Sequence, residues 1–370
     1  MSILSSVKVV EFEGIGPGPF CGMLLADLGA DVIVIERKGA MSAGKAAVFR
    51  RGKRSIALNL KDERDRDAAR RIAANADALI EGMRPGVMER LGLGPDVLRG
   101  DNKKLVYGRL TGWGQEGPLS QAAGHDINYV GLSGAAWYSS QAGDAPTPAP
   151  TMVGDVGGGA LYLAIGVLSA VIRARETGEG GVVDAAIVDG SAHMLNLLMS
   201  LRASGGLPDE RGQSMLDGAH FYDVYECADG GYISIGPLEP QFYALLLEKL
   251  GLADDEGLHQ QFDKEKWPAH KEKFAALFKK KPCADWCALL EGTDVCFAPV
   301  LSPAQAADHP HMKARNVYRT IDGVLQSAAA PRFDGATPAD PGPIPQSGAH
   351  AKEILRDAGL TDAEIDAMRD

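Results

Sequence analysis

The chain has 370 residues, 45% of them apolar and 24% charged, a balance that fits a folded globular protein and excludes a disordered or fibrous one. That length accommodates one large domain and one small one. A net charge of −11 argues against general nucleic-acid binding, which needs a broad excess of Lys and Arg, so no nucleic-acid partner is expected.

The opening MSILSSVKVVEF lacks a basic stretch followed by a long apolar one, and no segment approaches the roughly 20 apolar residues of a membrane span. The closing AMRD matches no terminal address or lipidation site. A cytoplasmic protein without a membrane partner is therefore expected. Cys21, Cys227, Cys283, Cys287 and Cys296 are few, odd in number and scattered, which suits a reducing compartment and gives no disulfide framework. Cys283 and Cys287 could share a helix face, but no second pair of ligands lies near them, so no metal site is expected. Arg37, Lys38, Lys45, Arg50, Arg51, Lys53 and Arg54 follow one another with no acid among them. Such a patch on an acidic protein can concentrate a polyanionic small molecule, and a solvated basic loop is the plainer alternative.

In chain order, VKVVEF, DVIVIER, SIALNL, ALIEG and KLVYGRL read as strands, and FCGMLLADLGA and DERDRDAARRIAANA as helices between them. Strands alternating with helices imply right-handed βαβ units around a parallel sheet. The unbroken apolar run in VIVI fits a strand covered on both faces. From Asp155 an apolar segment that starts with glycines reads as a long buried helix ended by Gly178. VVDAAIVDG reads as a strand feeding a helix over SAHMLNLLMSLRAS, and a polar linker follows. FYDVYECADGGYISIG reads as a hairpin turning at ADGG. Three helical patterns come next, then a Pro- and Gly-rich stretch, then a last helix over AKEILRDAGLTDAEIDAMR. The expected division is a large α/β domain over 1–200 completed by 315–370, a linker over 201–221, a small α+β domain over 222–300 and a return linker over 301–314.

GIGPGP, after the first strand and before a helix, resembles a dinucleotide-binding turn, with Glu36 as the ribose acid. The match fails where Pro19 replaces a Gly or Ala, and Pro17 and Pro19 remove two N–H groups from an anion-binding turn.

Two glycine-bracketed segments carry ionisable residues: GHDINYVGLSG at 124–134 and GDVGGG at 154–159. Each reads as a loop turning into a helix, whose first N–H groups and partial positive charge stabilise an anion. The N–H of Asp126 is placed to serve an oxyanion, with the His125 side chain beside it. Asp155 as a simple N-cap and His125 as a structural histidine remain the alternatives.

These segments resemble the α-methylacyl-CoA racemase branch of the class III CoA-transferase family. The resemblance runs in order from GIGPGP and LGADVIVIER through RGKRSIALNLK, IEGMRPGVMERLGLG and LTGWGQEGP to VVDAAIVDG, DVYECADGGYISIG and EPQFY, over about residues 5–310. It implies an open Rossmann-like α/β large domain with a smaller α+β domain, assembled as an interlaced homodimer. It implies that Asp155 is the reactive carboxylate, that His125 in an intact GHDINY marks racemisation of a 2-methylacyl-CoA, and that Glu239 approaches and orients His125. For the CoA portion of the substrate it implies Arg37 at the adenosine phosphate, Arg90 near the pyrophosphate or adenosine, and the backbone of Ala57 and Leu58 beside the adenine. Lys53 and Arg54 are weaker candidates, and Arg84 could simply hold a turn. CoA is part of the substrate, and no separate cofactor or metal is implied. The alternative within the family is CoA transfer, with Asp155 as a nucleophile.

Overall fold

The computed structural model describes residues 2–39, 44, 47–337 and 339–368. Lys45 of the basic run lies outside them. The described chain divides into two compact units. The first comprises 1–134, 149–194 and 310–370, and the second 135–148 and 195–309.

In the first unit six parallel strands, β1 (Lys8–Phe12), β2 (Asp31–Arg37), β3 (Arg54–Leu58), β4 (Ala78–Glu81), β5 (Val106–Thr111) and β6 (Gly181–Ala186), form one sheet in the order β3-β2-β1-β4-β5-β6. This is the doubly wound arrangement, whose ligands collect beyond the carboxyl ends of the strands where the order reverses, here between β1 and β4. Alternate side chains go to opposite faces. Val10 and Phe12 register against Ile33 and Ile35 and join one core with Ile56, Leu58 and Leu79, whereas Val9 and Val32 join the other with Ile80 and Val106.

Helices cover both faces. They are α1 (Pro17–Asp27), α2 (Glu63–Ala74), α3 (Val87–Arg90), α4 (Pro95–Asp101), α5 (Asp126–Ser133), α6 (Leu161–Thr177) and α7 (Ile187–Met194). On α2 the Asp62 side chain accepts from the N–H groups of Arg64 and Asp65, and Ala68, Ala69, Ile72 and Ala73 face the first core. Cys21 and Leu25 of α1, with Leu163, Val167 and Val171 of α6, close the second. The last expected helix is broken in two at Gly359, into Ala351–Asp357 and Asp362–Ala367, and Ile354, Leu355 and Ile365 complete the first core. Just before them the chain lines the outer edge of β3: the His350 N–H donates to the Ser55 carbonyl at 3.0 Å, and the Ser55 N–H donates to His350 Nδ1 at 3.1 Å.

The helix expected from Asp155 begins earlier and in another form. It opens as a π-helix over Met152–Ala160 and continues as α6 to its Gly178 cap. It is also less buried than expected, for Leu161, Ile165 and Ile172 are 40, 64 and 62% exposed along one stripe. Met152–Thr177 is 26 residues long and holds an 18-residue window with a mean hydropathy of 1.7, long and apolar enough by length and composition to cross a membrane. The expectation that no segment approaches that length is thereby corrected. The inward face of this helix belongs to the second core.

In the second unit the hairpin of β7 (Asp223–Glu226) and β8 (Tyr232–Ile235) turns at 227–231, as read, and gains an unforeseen third strand, β9 (Phe297–Val300). Pro299 masks β9 in the sequence. It is tolerated because β9 is the edge strand of this sheet, paired with β8 alone among the described residues. Phe221, Tyr225, Tyr243, Trp267, Phe274, Phe278 and Trp286 fill this core.

Candidate active site

Beyond the end of β5 the chain passes through Trp113 to His125, the extended N-cap of α5. Asn128 Oδ1 accepts from the His125 N–H at 3.0 Å. The Tyr129 hydroxyl donates back to the Gly124 carbonyl, and its ring meets Trp113 edge-on at 4.7 Å. Asn128, Tyr129 and Trp113 therefore fix the backbone on both sides of His125 and leave its side chain exposed. Among the described residues, none accepts from the N–H of Asp126 at the first helical position.

Asp155 is not an N-cap. Thr151 holds that place, and the N–H of Val156 reaches the Thr151 carbonyl at 3.0 Å, five residues back, so Asp155 stands in the first turn of the π-helix. Such turns are rare and concentrate at functional sites. The Asp126 carboxylate, 8% exposed, accepts from the N–H of Asp155 at 2.8 Å and of Thr151 at 3.2 Å. From the other side comes the GIGPGP turn. Gly16, with φ 74°, caps α1, and a β-carbon there would stand 3.5 Å from Asp155 Oδ2. The positive φ calls for glycine, whereas the approach to Asp155 is ordinary van der Waals contact. Burial pushes the Asp155 carboxyl above the ordinary carboxylate range, the Asp126 charge pushes it further, and His125 opposes them. The half-buried carboxyl is thus biased toward its acid form, while an exposed imidazole lies within its electrostatic reach. A carboxyl and an imidazole, each chemically able to give or take a proton, thus act on one another.

Glu239 is the N-cap of α8 (Pro240–Lys249) in the second unit; it is exposed and makes no side-chain cap bond. The basic run separates into two kinds of cation. Arg50 pairs with buried Glu36 at 2.5 Å, Arg51 with Asp27 at 2.5 Å, Lys53 with Glu11 at 2.6 Å, and Arg54 with Asp31, Glu353 and Asp357. Lys53 and Arg54 are accordingly withdrawn as phosphate ligands, since internal acids hold them in the fold. Arg37 ends β2 and is exposed, its backbone N–H donating to Glu13 at 3.0 Å, and among the described residues no acid pairs with its guanidinium. Arg84 and Arg90 are exposed on the segment after β4. Arg109 ties that segment down by bonding Glu81 at 3.0 Å and Glu89 at 2.8 Å. A cleft of about 310 Å³ opens beside β3, lined by Lys38, Ala57, Leu58, Lys352, Leu355 and Met368.

Sequence reasoning missed the Asp126 side chain and the contact of Gly16 with Asp155. The signal for the first was present, since GHD and GD each carry a carboxylate. Nothing local brings the two segments together.

Residues 4–351 match the family described as CoA-transferase family III. The chain is 43% identical over 366 residues to the alpha-methylacyl-CoA racemase of Mus musculus, covering 98% of this chain and 95% of that protein. With the alpha-methylacyl-CoA racemase of Homo sapiens it shares 40% identity over 365 residues, at the same coverage. The crystal structure of a CAIB/BAIF family protein from Brucella suis superposes with a TM-score of 0.80 at 27% identity, covering 96% of this chain and 99% of that one. The chain, with its doubly wound sheet and its match across nearly its whole length, belongs to CoA-transferase family III.

Proposed function

We propose that this protein racemises the α-carbon of 2-methylacyl-CoA thioesters by passing protons through His125 and Asp155. The observation that carries the reading is the pairing of an exposed imidazole with a half-buried carboxyl biased toward its acid form. The α-proton of a thioester is only weakly acidic, so its removal needs an oriented base and a donor for the enolate oxygen. Neutral His125 takes the proton in one direction while the Asp155 acid returns one to the opposite face. In reverse, the Asp155 carboxylate takes it and the His125 imidazolium returns one. The N–H of Asp126 serves the enolate oxygen, and Glu239 orients His125. The likeness to two racemases at 40% identity or more supports the same assignment.

CoA is bound through its phosphates at Arg37 and Arg90, with its adenine against Ala57 and Leu58 in the cleft beside β3. The reaction needs no metal or redox cofactor. A homodimer is part of the proposal, because the stripe of Leu161, Ile165 and Ile172 is an apolar surface that a second copy would cover.

Incubation of a single enantiomer of a 2-methylacyl-CoA in heavy water tests the reaction. Loss of optical purity with uptake of one α-deuterium is the expected result. The competing reading is CoA transfer, favoured by the family's name. It requires that hydroxylamine trap an acyl-aspartyl anhydride at Asp155 and that CoA pass to an added carboxylic acid. Transfer at a rate comparable with racemisation would replace the first reading by the second.

A further inference from the structure

One side chain joins the helix that carries His125 to the turn that carries Asp155. Asp126 follows His125 in sequence, and its carboxylate holds the N–H groups of Thr151 and of Asp155, the latter 29 residues away along the chain. The first N–H groups of a helix have no acceptor within it, and a π-turn is the least common helical form. Asp126 supplies an acceptor for one of them, the N–H of Asp155, and for the N–H of the cap residue Thr151. Gly154 is required in the same place, because a β-carbon there would stand 2.4 Å from Asp126 Oδ1 and 2.7 Å from Val130 Cγ2. Among the described residues, no Lys or Arg pairs with the Asp126 carboxylate.

We propose that the Asp126 side chain is a positioning residue for Asp155: it clamps the Thr151–Asp155 turn to the helix that carries His125 and sets a fixed negative charge beside the reacting carboxyl. The inference rests on the racemase reading and deepens it. Racemisation in one direction starts from the acid form of Asp155, and a neighbouring negative charge favours that form. The charged groups acting on Asp155 are Asp126, which raises its proton affinity, and His125, which lowers it. Tyr129, one turn along α5, itself feels the Asp155 charge. Cys21 and Asp27 on α1, Asp189 and His193 on α7, and Arg109 and Asp184 on β5 and β6 exert no resolved effect on it. Placement and proton affinity of one reacting group thus depend on a side chain that need not touch the substrate.

Two substitutions separate placement from charge. Asp126→Asn keeps the shape but removes the charge and one acceptor. It should lower kcat about ten- to a hundredfold with KM nearly unchanged, and move the pH–rate limb of Asp155 downward. Gly154→Ala pushes on the carboxylate without removing it. It should lower kcat by a similar factor and leave that limb where it is. Thermal melts and the KM for the CoA ester report whether each variant is folded. The Asp155 carboxyl is also titrated directly by carbon NMR in wild type and Asp126→Asn without substrate, so the outcome stands even if wild type fails to exchange its α-proton. Failure to exchange sinks the racemase reading, whereas an Asp155 titration unmoved by Asp126→Asn, or a wild-type kcat in that variant, overturns the role of Asp126.

Discussion

Two arrangements of charge inside the first unit have opposite designs. Glu11 and Lys53, 2 and 3% exposed, face each other at 2.6 Å, and the Lys53 ammonium also donates to the Pro19 carbonyl at 2.9 Å. Asp126 of α5 and Asp155 of the π-turn are two carboxylates brought together because the first accepts the backbone N–H groups of Thr151 and Asp155, and of the charges acting on Asp155 it is His125 that opposes the acid form. The first pair is compensated and so is part of the scaffold. The second leaves like charges close together, which spends stability to keep a proton within reach. Sequence alone makes both look like scattered ionisable residues, and only the partner of each decides its role.

The largest effects should separate the two. Asp155→Asn and His125→Ala should each reduce α-proton exchange by about three orders of magnitude or more, read as deuterium uptake. Asp155 has a folded pKa raised above its unfolded value. Its stabilising contribution is complete below the unfolded value and is lost as pH rises through the folded one. At neutral pH Asp155→Asn should therefore leave the urea midpoint unchanged or higher, and a lower midpoint would contradict the comparison. Lys53→Met should do the reverse. It leaves Glu11 buried and unpaired, so stability should fall by about 3–5 kcal/mol while kcat of the folded fraction stays near wild type. Adding Glu11→Leu should recover most of the loss in the same titration.

Smaller effects sharpen the contrast at the surface and in the second unit. Arg37→Ala should raise KM for the CoA ester about tenfold with little change in kcat, and added salt should weaken wild-type binding through screening. Dephospho-CoA esters that bind as tightly as CoA esters would remove Arg37 from the adenosine phosphate. In the second unit His220 is fully buried, shares a hydrogen bond with the Tyr243 hydroxyl at 2.8 Å and lies against His270. Burial, with His270 second, pushes its pKa from the ordinary 6.5 down to about 3. Its contribution to stability is thus complete above 6.5 and is lost as pH falls toward 3. Melts of the whole protein should show this acid-side loss, and His220→Gln should flatten it.

The architecture was legible wherever a local pattern fixed it. The apolar strand runs, the helix over DERDRDAARRIAANA, the Gly178 stop and the ADGG turn all report on their immediate neighbours, and these features stand close to where the patterns put them. Failures came where distant partners decide. Four of the cations read as a basic patch, Arg50, Arg51, Lys53 and Arg54, turn to acids as far off as Glu353 and Asp357. The π-form of the Asp155 turn depends on a carboxylate from α5, and β9 on an edge position that excuses its proline. His125 and Asp155 stood out because glycine brackets them, yet their connection through Asp126 is a long-range fact that no window of sequence contains.

The covering of β3 by the chain near His350 bears on biosynthesis. Five strands of the parallel sheet leave the ribosome within the first 111 residues, but the segment that lines its edge, and Ile354, Leu355 and Ile365 of its core, come last. Between them the ribosome must deliver the whole second unit. A nascent chain therefore carries an open strand edge and an unfinished apolar face for most of its translation, the condition in which sheets recruit foreign strands. Stalled chains ending near residue 340 should engage chaperones, and completion of the last 30 or so residues should release them.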